Sequence, residues 1–380
     1  MIYLDNAATT PVDPRVAQAM NSYLTNVYGN PSSKFNQQAE ESKKFIIESR
    51  QAIASFLSCN PGEILFTSGA SESNNLVIKG ICFPQIKAKQ KVHIITSKVE
   101  HKATLNCCKF LEGLGVQVTY LDVDKFGRVS VEDIKSSITE DTKLVSLIWG
   151  NNEIGSLNPI ETIGEFLYHE NIKFHVDATQ VYGKLSINLS EIFIDFMSFS
   201  AHKIYGPKGI GGLFIRRDKY DLLPDLEPLI HGGQQEFGLR AGTESTHNIV
   251  GFKVATEIAS EEMDEYIDKI LNLERKFIER LKVHLPSVQI NSPIENKIPG
   301  IINVIIPGLN SELFLKWASS DYALSTGSAC ALGEASHVID AIGPAKHSRD
   351  ILRISIGKFN DESILELTDA LSNYLDEYSL

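Results

Sequence analysis

The chain has 380 residues, 43% of them hydrophobic and 22% charged, ordinary for a globular protein and long enough for two domains. A net charge of −12 excludes a general binder of nucleic acid or of anionic membrane surfaces. No apolar run approaches the ~20 residues of a membrane helix. Asp5 and Pro11 interrupt the opening, so no signal peptide and a cytoplasmic location are expected.

In chain order, Asn6-Ala-Ala-Thr-Thr-Pro11 reads as irregular, and an amphipathic helix is predicted from 14 to 24. Residues 26–33, with Gly29 and Pro31, form a loop before a helix over 37–57. A strand at 63–67 then turns tightly through Ser68-Gly-Ala-Ser71 into another helix. Further strands are expected at 92–96, 116–121, 144–149, 174–176, 194–199 and 212–216, with helices such as 104–114 and 160–170 between several of them. Near-continuous apolar strands alternating with helices mean an α/β fold with a mostly parallel sheet covered on both faces. Past Thr243 the character changes: a long charged helix over 258–284 leads to strands at 300–306 and 351–356, and to a last helix after Asp361. This pattern predicts a large domain, 15–257, and a smaller one formed by 1–14 and 258–380.

The strand ending at Ser200 delivers a hydroxyl, an imidazole and an amine (Ser200, His202, Lys203) into a segment too rich in Gly and Pro for helix. An amine at the rim of an apolar strand is poorly solvated, which favours its neutral form and makes Lys203 a candidate Schiff-base nucleophile. The bland alternative is a surface lysine. Upstream, the apolar segment 174–176 runs out into Asp177-Ala-Thr-Gln180. If those two strands are neighbours, a carboxylate and an amine meet at one sheet edge. Pyridoxal phosphate (PLP) needs that pair, an amine for its aldehyde and a carboxylate to keep its pyridine nitrogen protonated.

Other strand ends supply partners. Ser68-Gly-Ala70-Ser71 at a helix start offers backbone amides and a hydroxyl to a phosphate ester. His101 follows the strand at 92–96, where an imidazole can stack on a ring and relay a proton. Asn152, in Trp149-Gly-Asn-Asn-Glu-Ile-Gly155, either touches cofactor and substrate or shapes its turn. Arg353 is a charge within an apolar strand and needs a partner, a substrate carboxylate or a structural ion pair. Five cysteines (Cys59, Cys82, Cys107, Cys108, Cys330) show no regular spacing, so neither a disulfide framework nor a metal site is expected. Cys330, among small residues in 324–336, is expected on an exposed loop with a reachable thiolate; the other four are expected to be inert.

Asn6-Ala-Ala-Thr-Thr-Pro, Thr-Ser-Gly-Ala-Ser-Glu-Ser, Glu-His-Lys, Asn-Asn-Glu-Ile-Gly, His-Val-Asp-Ala-Thr-Gln, Ser-Ala-His-Lys, Arg-Ala-Gly-Thr and Gly-Ser-Ala-Cys occur in this order. With them the chain closely resembles the PLP-dependent cysteine desulfurases of the class V aminotransferase group, nearly end to end. The Gly-Ser-Ala-Cys form resembles the branch tied to iron–sulfur cluster assembly and related sulfur trafficking. The resemblance implies a fold-type-I homodimer with a seven-stranded sheet and a smaller α+β domain carrying the cysteine loop. It implies that Lys203 holds the cofactor aldehyde, that Asp177 pairs the pyridine nitrogen and that Gln180 meets the ring hydroxyl. Ser71, Ser200 and His202, with neighbouring Ala70, would hold the phosphate, helped by Thr243 of the other subunit. His101 would stack on the ring; Asn152 and Arg353, with Asn6, would hold the substrate.

The implied reaction turns L-cysteine into L-alanine and leaves a persulfide on Cys330. A sulfur-acceptor protein would receive it, for cluster assembly, tRNA thiolation or DNA sulfur modification. A selenocysteine lyase or aminotransferase on the same fold does not obviously need Cys330. A non-catalytic PLP-holding scaffold needs neither Lys203 nor Cys330. Against the resembled branch, the loop after Cys330 is somewhat shorter, and the chain stops at Leu380 without the longer tail that helps dock a scaffold protein.

Overall fold

A computed structural model describes residues 1–327, 336–343 and 349–378. The chain opens with a short strand β1 (Ile2–Tyr3), then α1 (Pro14–Thr25) and α2 (Gln37–Leu57). Asn36 caps α2 by accepting a hydrogen bond from the Ala39 amide, a contact worth about 1 kcal/mol. There follow β2 (Ile64–Thr67), α3 (Ala70–Lys87), β3 (His93–Ser97), α4 (Lys102–Glu112), β4 (Gln117–Leu121), α5 (Val131–Ser137), β5 (Thr142–Ile148), α6 (Ile160–His169), β6 (Lys173–Asp177), β7 (Phe196–Ser200) and β8 (Gly211–Ile215). β2 and β3 and the strands β5 to β8 are almost wholly buried, because helices cover both faces of the sheet they form.

That sheet has seven strands in the order β2-β8-β7-β6-β5-β3-β4. All run parallel except β8, which pairs antiparallel with both β2 and β7. The expected neighbours are neighbours: β6 lies parallel to β7, with Asp177 opposite Ser198. The carboxyl ends of β2, β3, β5, β6 and β7 therefore open on one edge, where open α/β sheets place their ligands.

The next helix, α7 (Thr246–His284), spans 39 residues and starts a dozen residues before the predicted helix at 258. Gly251 argues against helix by propensity. Here it lets α7 lie against α1, since a side chain at that position would meet Met20 Sδ at 2.6 Å. The first half of α7 packs Ile249, Phe252 and Ala255 into the core of the large sheet, and its second half packs Ile270, Phe277 and Leu281 into a separate core. That second core gathers β9 (Gln289–Ile290), β10 (Ile301–Ile305), α8 (Ser311–Trp317), β11 (Tyr322–Ala323), β12 (Ile351–Ser355) and α10 (Glu366–Tyr378), while α9 (His337–Ile342) packs Val338 and Ile339 against Val99, Ile154, Ile305 and Ile351. Its antiparallel sheet has the order β12-β10-β9, and β1 pairs with β11, which ties the amino terminus to this part of the molecule. No helix among the described residues is long and apolar enough to cross a membrane.

Candidate active site

A cavity of about 510 Å³ lies at the strand edge. Its floor is β6 and β7. Asp177, at the last position of β6, is 3% exposed; its Oδ2 accepts from Asn74 Nδ2 at 2.7 Å and its Oδ1 from the Thr179 amide at 3.0 Å. These donors are neutral. A buried carboxylate with neutral donors is well placed to take a cationic N–H from the cavity, which is what a protonated pyridine offers.

Lys203 stands one short turn beyond β7. Its Nζ donates to the carbonyls of Ala7 and Ala8, each at 2.6 Å, so the irregular opening of the chain forms one wall. Gln180, 2% exposed, donates from Nε2 to the same Ala7 carbonyl at 2.8 Å. Amine, carboxylate and amide thus converge from two adjacent strands and the amino-terminal segment.

The phosphate end is built by the start of α3. Gly69 has φ +153°, a backbone conformation open to glycine, and a side chain at Gly211 of β8 would meet Gly69 Cα at 2.6 Å. Two glycines let the turn at 68–71 lie on the sheet beside Ser200; the Ser68 and Gly69 amides donate to Glu72 Oε2 and Thr67 Oγ1, which leaves those of Ala70 and Ser71 for the cavity. Ser68, Ala70, Ser71, Lys208 and Gly209 also line this end. His202 is held by Thr9, Nδ1 to Oγ1 at 3.1 Å. Burial, then the cations Lys203 and Lys208, push its pKa down to about 4, so it enters the site neutral.

His101 is the N-cap of α4: its Nδ1 accepts from the Ala103 amide at 3.1 Å. In the neutral ring the proton therefore sits on Nε2. Desolvation lowers the His101 pKa, with Asp177 pulling the other way. A neutral imidazole with a defined donor end can stack on a ring and pass a proton.

Arg353 of β12 is 1% exposed and reaches the cavity from the smaller core. It pairs with Asp5 and donates from Nη1 to the carbonyls of Asn152 and Gly327 at 3.0 and 2.9 Å; its Nε has no partner among the described residues. The ion pair with Asp5 is present, and the guanidinium also lines the cavity. Asn152 lines the cavity too.

Two predicted residues do not line it. Asn6 is buried, and its amide donates to the carbonyl of Ser355 at 2.8 Å, tying the opening to β12. Thr243 is exposed on a loop pinned by Glu236, which pairs with Arg50 and accepts from the Phe66 amide. Cys330 lies outside the described residues. Cys82, Cys107 and Cys108 are buried, and burial raises their thiols above the ordinary cysteine pKa.

Sequence reading missed Asn74, Asp5 and the Ala7 and Ala8 carbonyls, each of which acts through contacts far along the chain. It also missed Glu100, whose carboxyl burial pushes up to about 8, beside Asp177. Its position next to His101 was the only available signal.

The aminotransferase class-V family matches residues 2–367. The cysteine desulfurase IscS of Dictyoglomus turgidum is 40% identical over 381 residues, covering 99% of this chain and 95% of that protein. Human cysteine desulfurase is 41% identical, over 97% of this chain and 80% of that protein. Among solved structures, a NifS-like protein superposes with a TM-score of 0.91 at 35% identity, covering 99% of this chain and all of that one. A structure described as SspA in complex with cysteine gives 0.83 at 38% identity, over 95% of this chain and all of that one.

Proposed function

Since the chain belongs to the PLP-dependent cysteine desulfurases of the aminotransferase class-V family, we propose that it takes sulfur from L-cysteine at this cavity and passes it on from Cys330. The observation that carries this reading is the meeting of Lys203 and Asp177 at the ends of adjacent strands in one cavity. The structural relative SspA is described in complex with cysteine, and the guanidinium of Arg353 suits the carboxylate of that amino acid.

When bound, PLP supplies an aldehyde for the substrate amine and a protonated ring that accepts the electrons released at Cα. Asp177 would keep the ring nitrogen protonated, and Gln180 would meet the ring hydroxyl. The amides of Ala70 and Ser71, with the Ser71 and Ser200 hydroxyls and neutral His202, would hold the phosphate. Arg353 and Asn152 hold the substrate carboxylate. The Lys203 amine would take up the Cα proton of the substrate, and His101, with its proton on Nε2, would lie against the ring and return protons. The Cys330 thiolate attacks the substrate sulfur: an S–S bond forms, the Cβ–S bond breaks, and its electron pair and a proton stay with the carbon product. L-Cysteine and one thiol thereby give L-alanine and one persulfide.

Thr243, presented outward by its pinned loop, completes the phosphate site of a second copy in a homodimer. The recipient is a sulfur-carrier or scaffold protein that docks near the cavity mouth. We place the domain division at 15–257 against 1–14 and 258–380, because the two cores meet along α7. The test is to incubate the purified protein with L-cysteine and read alanine release and peptide masses. Alanine with an added sulfur on the Cys330 peptide supports the reading; alanine without it, or sulfur on Cys107 or Cys108, overturns it.

A further inference from the structure

Lys184 is a lysine 6% exposed, four residues beyond Gln180, for which the mechanism above has no use. No carboxylate pairs with it among the described residues. Its Nζ donates instead to Gln180 Oε1 at 2.7 Å, while Gln180 Nε2 donates to the Ala7 carbonyl at 2.8 Å. The same carbonyl accepts from Lys203.

The two ends of a glutamine amide are nearly equal in shape, and a half-turn exchanges them. Here both partners forbid the exchange. An ammonium group has three donors and no acceptor, so the amide must turn its oxygen to Lys184; a carbonyl only accepts, so the nitrogen must face Ala7. The amide nitrogen has a second N–H, and Gln180 lines the main cavity. Burial, with Lys203 and Arg353 nearby, lowers the Lys184 pKa to about 7; the charged form enforces this orientation from its side, and the Ala7 carbonyl enforces it in either form. Lys184 itself stands behind the site, bordering a small second cavity of about 30 Å³.

We propose that Lys184 is a positioning residue: it locks the Gln180 amide so that an N–H, and not the oxygen, faces the ring oxygen of PLP. The cofactor hydroxyl is thereby met by a donor and held as the oxyanion, and the buried cation behind the amide adds to that preference. This rests on the reading of Gln180 as the partner of the ring hydroxyl.

The experiment is a PLP titration of apoenzyme, with the visible spectrum of the bound cofactor recorded for wild type, Gln180→Ala, Lys184→Met and the double variant. Each single change is expected to weaken PLP binding about tenfold, the worth of one buried hydrogen bond, and to shift the spectrum. The double variant should bind no worse than Gln180→Ala, because Lys184 acts only through Gln180. Lys184→Arg, with the small cavity to take its extra atoms, should restore the wild-type spectrum. Replacing a buried cation by an apolar side chain of similar volume is often tolerated; Lys184→Leu stands in if the methionine variant does not fold. Additive losses, an unchanged Lys184→Met, or an arginine variant with the methionine spectrum overturn the proposal alone. Wild-type affinity and spectrum in Gln180→Ala overturn the placement of Gln180, and the proposal with it.

Discussion

Arg353 Nη2 donates to Asp5 Oδ1 at 2.6 Å, an ion pair that closes 348 residues of chain into one wall of the cavity. The arginine side chain is 1% exposed and the aspartate 20%. Removing Asp5 leaves a buried guanidinium without its anion. Asp5→Ala is expected to lower stability by about 3 kcal/mol, read as a drop in the urea midpoint. KM for cysteine should rise as well, because the guanidinium loses its orientation. Arg353→Lys should not restore substrate binding, since a point charge cannot reproduce the planar fork. An unchanged midpoint in Asp5→Ala would mean that the pair is only a surface contact.

Lys203→Ala should fold, stay colourless with PLP at catalytic concentrations and lose turnover by at least ~10³-fold. Asp177→Ala should keep some colour and lose turnover less completely, because an unprotonated ring is a weaker electron sink. A spectrophotometric assay of alanine release beside the absorption spectrum separates the two. Normal turnover in Lys203→Ala ends the PLP reading.

His175 lies two residues before Asp177 on the same strand face, with Nδ1 on Ser146 Oγ at 2.8 Å and Nε2 on Ser198 Oγ at 2.9 Å. Burial lowers its pKa from 6.5 to about 4. The folded chain therefore binds fewer protons than the unfolded one within that window. Stability from His175 is full above pH 6.5 and is lost as pH falls towards 4. The advantage of wild type over His175→Gln should shrink by a few kcal/mol across that range, measured by urea unfolding at pH 7 and pH 4.5. A constant difference at both values would mean that His175 titrates alike in the folded and unfolded chain.

Thr243 is exposed in a loop that is anchored earlier by the ion pair of Glu236 with Arg50 at 2.6 Å. A homodimer is expected in light scattering, with Thr243→Ala weakening PLP binding about tenfold without changing the mass. A monomer with full activity would rule out a composite site.

Much of this architecture was legible in the chain. The strands β2, β3, β6 and β7 end in the polar residues Thr67, Ser97, Asp177 and Ser200, because a strand buried on both faces is an apolar run that stops where it meets solvent or ligand. Lys203, Asp177, Gln180, Ser200 and His202 are local to those ends, and the structure brings them together because β6 and β7 pair. The glycine turn at Gly69 was equally local.

What the sequence determined by itself was the alternation of strand and helix and the identity of groups at strand ends, because both follow from side-chain period and solvation over a few residues. Only the tertiary structure decided which distant groups share a hydrogen bond. Asn74 meets Asp177 across 103 residues, Lys203 meets Ala7 across 196, and Arg353 meets Asp5 across 348. It also decided that α7 begins at Thr246, since Gly251 opposes helix locally but permits the approach of Met20. The turning of the Gln180 amide belongs here as well: its two ends are alike in the chain, and only the cation behind it and the carbonyl before it make them different.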